Sequence, residues 1–368
     1  MTVEEETPAI QNLHLSEPDA SHSEEDAEDL AAENEAQEND AVTRGFPEGV
    51  VVLPDESPEQ FDADDDLTSA YADDVEYIDL IHLKVKSFEA LGLGRFQQLK
   101  GLCLRSNLLD SIAGVKVLNE ELLEDLDVYD NRINHISKHI NALTKLTSLD
   151  FSFNKIKNIK NIDKLVNLES LYFVQNRISE ITGLATLKRL RMLELGGNRI
   201  EVISDTLLQL PALEELWLGK NRIKKLENLG ALKNLRILSI QSNRLTKIEG
   251  LEELENLEEL YLSHNGISKI ENLEKNTKLK TIDITSNRIS DLDGLSHLTK
   301  LTDLWCSYNQ IADFGRLESL AKLPELETVY FEGNPIQLQN PPAYRRKVRL
   351  NLGPGIKKID ATYVTGNL

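Results

Sequence analysis

The chain has 368 residues, of which 40% are hydrophobic, and a formal net charge of −21. No uninterrupted apolar run approaches the ~20 residues needed to span a bilayer. The first residues lack the basic start, apolar stretch and cleavage site of a secretory signal. Two cysteines agree with a reducing compartment. These features exclude a membrane-spanning or secreted protein, and we expect a soluble intracellular one.

The negative charge belongs to the first segment of the chain. Residues 1–75 hold 24 acidic residues against one basic residue, Arg44, whereas residues 76–368 hold 38 acidic and 40 basic residues. Runs such as SEEDAEDLAAENEAQEND (23–40) contain too little apolar surface to offset the entropy of ordering. We therefore predict a disordered acidic tail over 1–75. Ser16, Ser21 and Ser23 each precede an acidic residue by three positions, which suits an acid-directed kinase and equally an unmodified, solvated serine.

A motif of the form Leu-x-x-Leu-x-Leu-x-x-Asn then repeats every 22 to 25 residues. The stretch IDLIHLKV (78–85) is a degenerate first unit with Leu83 at the asparagine position. Together these units predict a repeat array of about twelve units over 76–336. The motif asparagines are Asn107, Asn131, Asn154, Asn176, Asn198, Asn221, Asn243, Asn265, Asn287, Asn309 and Asn334.

Each unit predicts one short parallel strand with inward leucines, because side chains alternate along a strand. The asparagine is suited to bind backbone groups where the chain turns away, and an Ile-x-x-Ile-x-x-Leu spacing returns the chain by a partly helical arc. Only stacking buries the apolar faces. The predicted fold is an α/β leucine-rich-repeat solenoid with a parallel concave sheet and short convex helices or turns. Cys103 and Cys306 then lie roughly 40 Å apart at ~4.8 Å per strand, too far for a disulfide, so we expect free thiols.

The ends of such a stack need covers. The segment 67–80, LTSAYADDVEYIDL, is a candidate for a short covering helix at the N-terminal end. At the other end we predict a C-terminal cap over 337–368. Within it, 341–364 has apolar residues at helical spacing, followed by a Gly-Pro-Gly turn and a short strand.

The residue between the last two leucines of each motif points away from the core. We call this position the slot. Five of the eleven slot residues are aromatic, although aromatic residues make up only 5% of the chain. The slots of units two to twelve hold Cys103, Asp127, Asp150, Tyr172, Glu194, Trp217, Ser239, Tyr261, Asp283, Trp305 and Tyr330.

Aromatic side chains in a field of one sign are typical of a protein interface. The slot row and the two outward rows beside it, two residues before and two after, contain nine acidic residues and one basic residue, Arg105. A face with a charge of about −8 favours a basic, partly apolar partner. It also repels nucleic acid, which is bound through Lys and Arg. We therefore expect a protein partner and no nucleic acid.

A catalytic, metal or cofactor site is not indicated. The stretch HISKH (135–139) has histidines four residues apart but lacks the glutamate of the zinc motif HExxH. The glycine pairs at 92–94 and 353–355 lack a phosphate-binding context, and the acidic residues have no nucleophile beside them. We expect a protein that is not an enzyme and binds no cofactor.

The repeat, the stretches LSIQSNRLTKIEGL (238–251) and ELYLSHNGI (259–267), and the closing AYRRKVRL and IKKIDATYV resemble the SDS22 family of protein phosphatase 1 regulatory subunits. The resemblance covers about residues 77–364 and implies that the concave face grips the phosphatase catalytic subunit without an RVxF peptide. Matching contact positions are Asp150, Glu194, Asp283, Trp305 and Tyr330, with Asp303 where the family has glutamate and Tyr172 and Trp217 where relatives have phenylalanine. Tyr261 joins the predicted partner-binding set from the slot pattern alone.

The resemblance further implies control of phosphatase activity, maturation or nuclear and mitotic targeting. It implies a nuclear and cytoplasmic protein that is monomeric on its own and joins inhibitor-three in a ternary complex. The alternative is a repeat scaffold for another assembly, of the dynein-assembly or spliceosomal type.

Overall fold

A computed structural model describes residues 67–365. One sheet of fourteen short strands follows the chain order from first to last. The first thirteen strands pair in parallel, and the last is antiparallel to its neighbour. The strands β1 to β14 span Tyr77–Asp79, Gly101–Cys103, Asp125–Asp127, Ser148–Asp150, Ser170–Tyr172, Met192–Glu194, Glu215–Trp217, Ile237–Ser239, Glu259–Tyr261, Thr281–Asp283, Asp303–Trp305, Thr328–Tyr330, Lys358–Ile359 and Thr362–Tyr363. The predicted parallel sheet is confirmed, and the strands β1 to β12 lie in the predicted repeat units.

The arcs between strands are 3-10 helices or turns, as the length of each repeat requires. The arcs after Asn107, Asn131, Asn198 and Asn309, in repeats of 23 to 25 residues, hold 3-10 helices, whereas most 22-residue repeats hold only turns. The 3-10 helices are Glu89–Leu91, Leu93–Arg95, Ala113–Val117, Lys138–Ala142, Asp205–Gln209, Asp293–Leu295, Phe314–Leu317 and Leu320–Lys322. Two α-helices follow the last repeat: α1 (Pro335–Leu338) and α2 (Pro341–Leu352).

The core is a continuous column of repeat leucines and isoleucines. The motif leucines are buried, for example Leu193, Leu216 and Leu238, and truncating such a side chain to alanine typically costs about 2–5 kcal/mol. Phe151 and Phe173 replace leucine in two adjacent units, and their rings stack inside the column with centroids 5.5 Å apart. Cys306 is buried in the same column and Cys103 is half-buried, both as the predicted free thiols.

The motif asparagines form a hydrogen-bonded ladder through the stack. Asn221 is typical: its side-chain amide donates to the carbonyls of Leu195, one repeat back, and of Leu218, and its Oδ1 accepts from the Ile200 N–H. The residue before each ladder asparagine has a left-handed backbone, with φ of 54° at Lys220 and 72° at Gly197. This corner turns the chain out of the strand, and the asparagine satisfies the backbone groups that the corner leaves unpaired.

The N-terminal end is covered by turns rather than by the predicted helix over 67–80. Thr68 is buried and donates to the carbonyl of Leu91, while Arg95 donates to the Thr68 carbonyl and pairs with Asp73. The Tyr71 ring packs edge-on against Phe96. These contacts hold residues 67–76 in an irregular conformation. Residues 67–75, which were assigned to the acidic tail, therefore belong to the cover of the stack. The rest of that tail, with Ser16, Ser21 and Ser23, lies outside the described residues.

The C-terminal cap forms around a buried carboxylate. Asp360 accepts hydrogen bonds from the backbone N–H groups of Phe331 and Glu332 and from the Tyr344 hydroxyl of α2. The predicted helix is therefore present as α2, and the predicted single strand is the hairpin β13–β14. The buried carboxylate ties α2 to the last repeat strand and closes the column.

We predict that Asn221→Ala lowers the free energy of unfolding by at least ~2 kcal/mol, because it leaves buried backbone groups of two repeats without partners. The matched control is Asn234→Ala, since Asn234 donates one hydrogen bond to the Pro211 carbonyl on the exposed side. Urea unfolding followed by circular dichroism measures both. Equal losses in the two variants would contradict a special role for the ladder.

Candidate partner-binding face

The strand register brings the slot residues into one continuous row. Along the sheet, each slot residue pairs with the slot residue of the next strand. From β7 to β12 these residues are, in order, Trp217, Ser239, Tyr261, Asp283, Trp305 and Tyr330. The apolar residues on either side of each slot are buried, so the slot side chains stand on the outer face of the sheet, as predicted.

Four of the five slot aromatics touch one another and form what we call the aromatic stripe: Trp217, Tyr261, Trp305 and Tyr330. Ring centroids are 6.1 Å apart for Trp217 and Tyr261, 6.2 Å for Tyr261 and Trp305, and 6.2 Å for Trp305 and Tyr330. Such contacts are worth about 0.5–1.5 kcal/mol each beyond burial. The stripe is therefore a preformed, half-buried surface rather than a set of isolated exposed rings.

The stripe is continuous because small or short residues separate the large ones. Ser239 lies between Trp217 and Tyr261 and is 1% exposed, and Asp283 lies between Tyr261 and Trp305 and is 8% exposed. Trp217 and Tyr261, and likewise Tyr261 and Trp305, meet across one short residue and lie two strands apart, whereas Trp305 and Tyr330 lie on adjacent strands. The aromatic positions and the contact position Asp283 were predicted from the sequence, whereas the role of Ser239 and Asp283 as short spacers between the rings was not.

The polar edges of the aromatic rings are held differently along the stripe. The Trp217 indole N–H donates to Glu215 and the Tyr261 hydroxyl to Glu259, both two residues earlier on the same strand. Burial, together with Glu259, raises the pKa of Tyr261. The Trp305 indole N–H is buried and has no acceptor within residues 67–365, which is unusual for a buried donor.

The slot aspartates have a structural task that sequence analysis missed. Asp127, Asp150 and Asp283 each accept a hydrogen bond from the backbone N–H two residues later, at 3.0, 2.7 and 2.9 Å. One oxygen of each carboxylate is thus committed to the end of its own strand. The signal in the sequence is a short acidic residue at the slot, where a glutamate is too long for this turn.

Asp150, Tyr172 and Glu194 form a second group, separate from the stripe. They occupy adjacent slots on β4, β5 and β6, and the Tyr172 ring contacts none of the stripe aromatics. Burial raises the pKa of each of the three side chains, and the Asp150 charge raises that of Glu194 further. The Glu194 carboxylate has no hydrogen bond within the described chain, so its charge is the least compensated of the group.

Arg105, the one base in the three outward rows of β2 to β12, gathers a cluster at the N-terminal end, while at the other end Lys358 of β13 lies 5.3 Å from the Tyr330 ring centre. The Arg105 guanidinium lies 2.8 Å from Asp127 and 3.8 Å from Asp150, and 4.0 Å above the Tyr129 ring. Tyr129 in turn packs against Phe153 at 4.9 Å. The acidity of the face is therefore lowest here and highest from Glu194 to Asp303, where Asp303 lies two residues before Trp305 on β11.

The other candidate sites lie away from this face. His139 belongs to the 3-10 helix Lys138–Ala142 on the arc side. Across residues 67–365, no group of three or more His, Cys, Asp or Glu side chains is arranged to hold a metal ion. In the same range, no helix is long and apolar enough to cross a membrane.

We predict that Glu194→Gln makes the free protein more stable at pH 7.5. Because the pKa of Glu194 is raised in the folded state, the folded protein binds this proton more tightly than the unfolded chain does. The free energy of unfolding therefore falls as pH rises from the ordinary glutamate range through the pKa of the folded state. Glutamine lacks this penalty, and the advantage should disappear below the ordinary glutamate range. Thermal unfolding between pH 7.5 and pH 4 measures it, with Glu318→Gln on the exposed arc side as control. A variant less stable than the parent at pH 7.5 would contradict the assignment.

Models of leucine-rich repeats match residues 133–253, 255–297 and 277–319. Among solved structures, an internalin of Listeria monocytogenes shares the fold with a TM-score of 0.66 at 22% identity, over 79% of this chain and 82% of that one. A leucine-rich-repeat protein of Leptospira interrogans has a TM-score of 0.59 at 25% identity, over 72% of this chain and 73% of that one. These likenesses confirm the fold.

Two curated relatives give the family. The chain is 68% identical over 320 residues to the protein phosphatase 1 regulatory subunit SDS22 of Saccharomyces cerevisiae, which spans 86% of this chain and 95% of that protein. It is 47% identical over 87 residues to the subunit of the same name from Schizosaccharomyces pombe, 24% of this chain and 25% of that protein. By its repeats, its fold and this identity, the chain belongs to the SDS22 family of protein phosphatase 1 regulatory subunits.

Proposed function

We propose that the chain is a non-enzymatic regulatory subunit that binds the catalytic subunit of protein phosphatase 1 through the outer face of its sheet. The observation that carries this proposal is the aromatic stripe, a row of touching rings bordered by carboxylates. Tyrosine and tryptophan supply most of the binding energy in protein interfaces, and surrounding charges select the partner. The family membership supplies the identity of the partner.

Within this face we assign different roles to the predicted residues. Trp217, Tyr261, Trp305 and Tyr330 are the apolar anchors. Glu194 and Asp303 are the main charge contacts. Asp283 contributes one oxygen because the other binds backbone, and the corresponding oxygen of Asp150 also faces Arg105 at 3.8 Å. Tyr172 makes a separate contact beside Glu194. Trp305 has the additional property of an unpaired indole N–H, which an acceptor of the partner would satisfy after a small rotation of the ring.

The proposal has finer parts that rest on the family resemblance alone. The free chain is a monomer, it joins inhibitor-three and the catalytic subunit in a ternary complex, and it acts in the nucleus and cytoplasm on phosphatase activity, maturation or mitotic targeting. The resemblance in 238–251, 259–267 and the cap supports these parts.

We predict that Trp305→Ala weakens capture of the catalytic subunit by about 30-fold or more, because truncating a central aromatic anchor typically costs ≥2 kcal/mol. Biolayer interferometry with the purified catalytic subunit measures the change. Tyr308→Ala is the matched control, since Tyr308 is 57% exposed and lies outside the stripe.

Glu194→Lys tests the charge part of the same proposal. Its carboxylate is free of backbone contacts, so a charge reversal there is cleaner than one at Asp283, which is buried and hydrogen-bonded. If Trp305→Ala and Glu194→Lys both bind like the parent chain, with unchanged circular dichroism, the outer face of the sheet is not the docking surface.

A further inference from the structure

The two edges of the sheet carry their charges in opposite ways. On the edge where strands begin, acidic and basic residues of neighbouring repeats pair with one another, as in Lys100–Glu76, Arg191–Glu214 and Lys357–Glu327. Glu258 is bound by both Lys280 and Arg236, and these hydrogen bonds lower its pKa to about 2. The charged side chains on this edge are therefore paired with charges of opposite sign from neighbouring repeats.

On the other edge, one row of residues carries charges of a single sign. The residue directly after the ladder asparagine is basic in seven units, and we call these residues the flank row. All seven are exposed. The flank row consists of Arg132, Lys155, Arg177, Arg199, Arg222, Arg244 and Arg288, interrupted by Gly266 before the last member.

Backbone hydrogen bonds hold the flank row in register. The N–H groups of Arg177, Arg199 and Arg222 donate to carbonyls of the preceding repeat, Ile156, Ile178 and Ile200, at 2.9, 2.8 and 2.8 Å. Lys155 and Arg244 make the same bond at 2.8 Å. Because this bond recurs on each rung, the basic residues follow one another at the strand spacing of ~4.8 Å.

None of these seven side chains has a hydrogen bond, an ion pair within 4.0 Å or a ring contact with any residue of 67–365. The nearby carboxylate of Glu201 is bound to Lys224 instead, at 3.3 Å. Six like charges on consecutive rungs, from Arg132 to Arg244, repel one another when nothing lies between them. An anionic ligand that lies along the row would relieve this repulsion and gain charge-assisted hydrogen bonds.

A depression of about 720 Å³ opens beside the middle of the row. Its lining includes the flank arginines Arg199 and Arg222, the apolar Ile181 and Val202, and three acidic residues, Glu180, Glu201 and Asp205. Val202 is 57% exposed. Because acidic residues also line the depression, it suits an uncharged aliphatic side chain, while the carboxylates of a bound segment would lie on the exposed arginines of the flank row.

We propose that the flank row docks an extended acidic segment of a partner protein, with its carboxylates on the arginines and an aliphatic side chain in the depression. Arginine binds carboxylates through two parallel hydrogen bonds, and six of the seven residues are arginine. The row from Arg132 to Arg244 spans five strand spacings, roughly 24 Å, which about seven residues of extended chain cover. Single-stranded nucleic acid is disfavoured because the row offers no aromatic ring for base stacking.

The test uses the full chain and a fluorescein-labelled peptide of twelve residues that alternates glutamate and serine around one central leucine. Fluorescence anisotropy should show binding that weakens with added salt. The triple variant Arg177→Gln, Arg199→Gln, Arg222→Gln should lower the affinity about tenfold or more. The control Lys164→Gln, Lys300→Gln, Lys322→Gln removes the same charge from exposed lysines of the arcs and should change the affinity less than twofold. A four-residue version of the peptide should bind far more weakly, because it reaches too few rungs.

Three results would overturn the proposal. The first is no binding of the peptide by the parent chain, and the second is an equal loss in both triple variants, which would indicate attraction by net charge alone. The third is tighter, row-dependent binding of a twelve-nucleotide oligothymidine, which would make the row a nucleic-acid surface. Capture of the phosphatase catalytic subunit, measured on the same variants, should be unchanged. A failure of the flank row is therefore distinguishable from a failure of the proposed function.

Discussion

The structure depends on one repeated interaction, the hydrogen bonding of the ladder asparagine to the backbone of two consecutive repeats. Each asparagine donates to the preceding repeat and to its own strand, and accepts from an N–H of the preceding repeat. The left-handed corner before it turns the chain at the same place in each unit. Because these hydrogen bonds fix the register of neighbouring units, residues at one motif position form a continuous row of side chains.

Because each motif position forms its own row of side chains, a domain with a net charge near zero presents surfaces that differ in charge and polarity. One row of slots carries aromatic anchors and carboxylates, the row after the asparagine carries unpaired arginines, and the row at the strand starts pairs its charges internally. The charges are not averaged over the surface, since a repeated choice of residue at one motif position sums along the whole stack. The partner that such a fold binds therefore depends on which residue types recur at each motif position, and not on the overall amino-acid composition.

The parallel sheet, the inward leucines and the outward slots could be predicted from the sequence, because motif spacing determines them directly. The irregular parts could not. Residues 67–76 form turns held by Arg95 and Thr68, and such contacts have no periodic signal. The sequence placed Trp217, Tyr261 and Trp305 on one face, but their contacts depend on the small volumes of Ser239 and Asp283 between them. Likewise, the backbone hydrogen bonds of Asp127, Asp150 and Asp283 depend on the turn that follows each strand.

The central claim is that the aromatic stripe receives the catalytic subunit of protein phosphatase 1. The chain has two tryptophans, Trp217 and Trp305, and both belong to the stripe, so a chain labelled with 5-fluorotryptophan should give two fluorine resonances. Trp217→Phe assigns them. Addition of the unlabelled catalytic subunit should shift or broaden both resonances, with the larger change at Trp305, whose indole N–H has no acceptor in the free chain. Formation of the complex with both resonances unchanged would contradict the account.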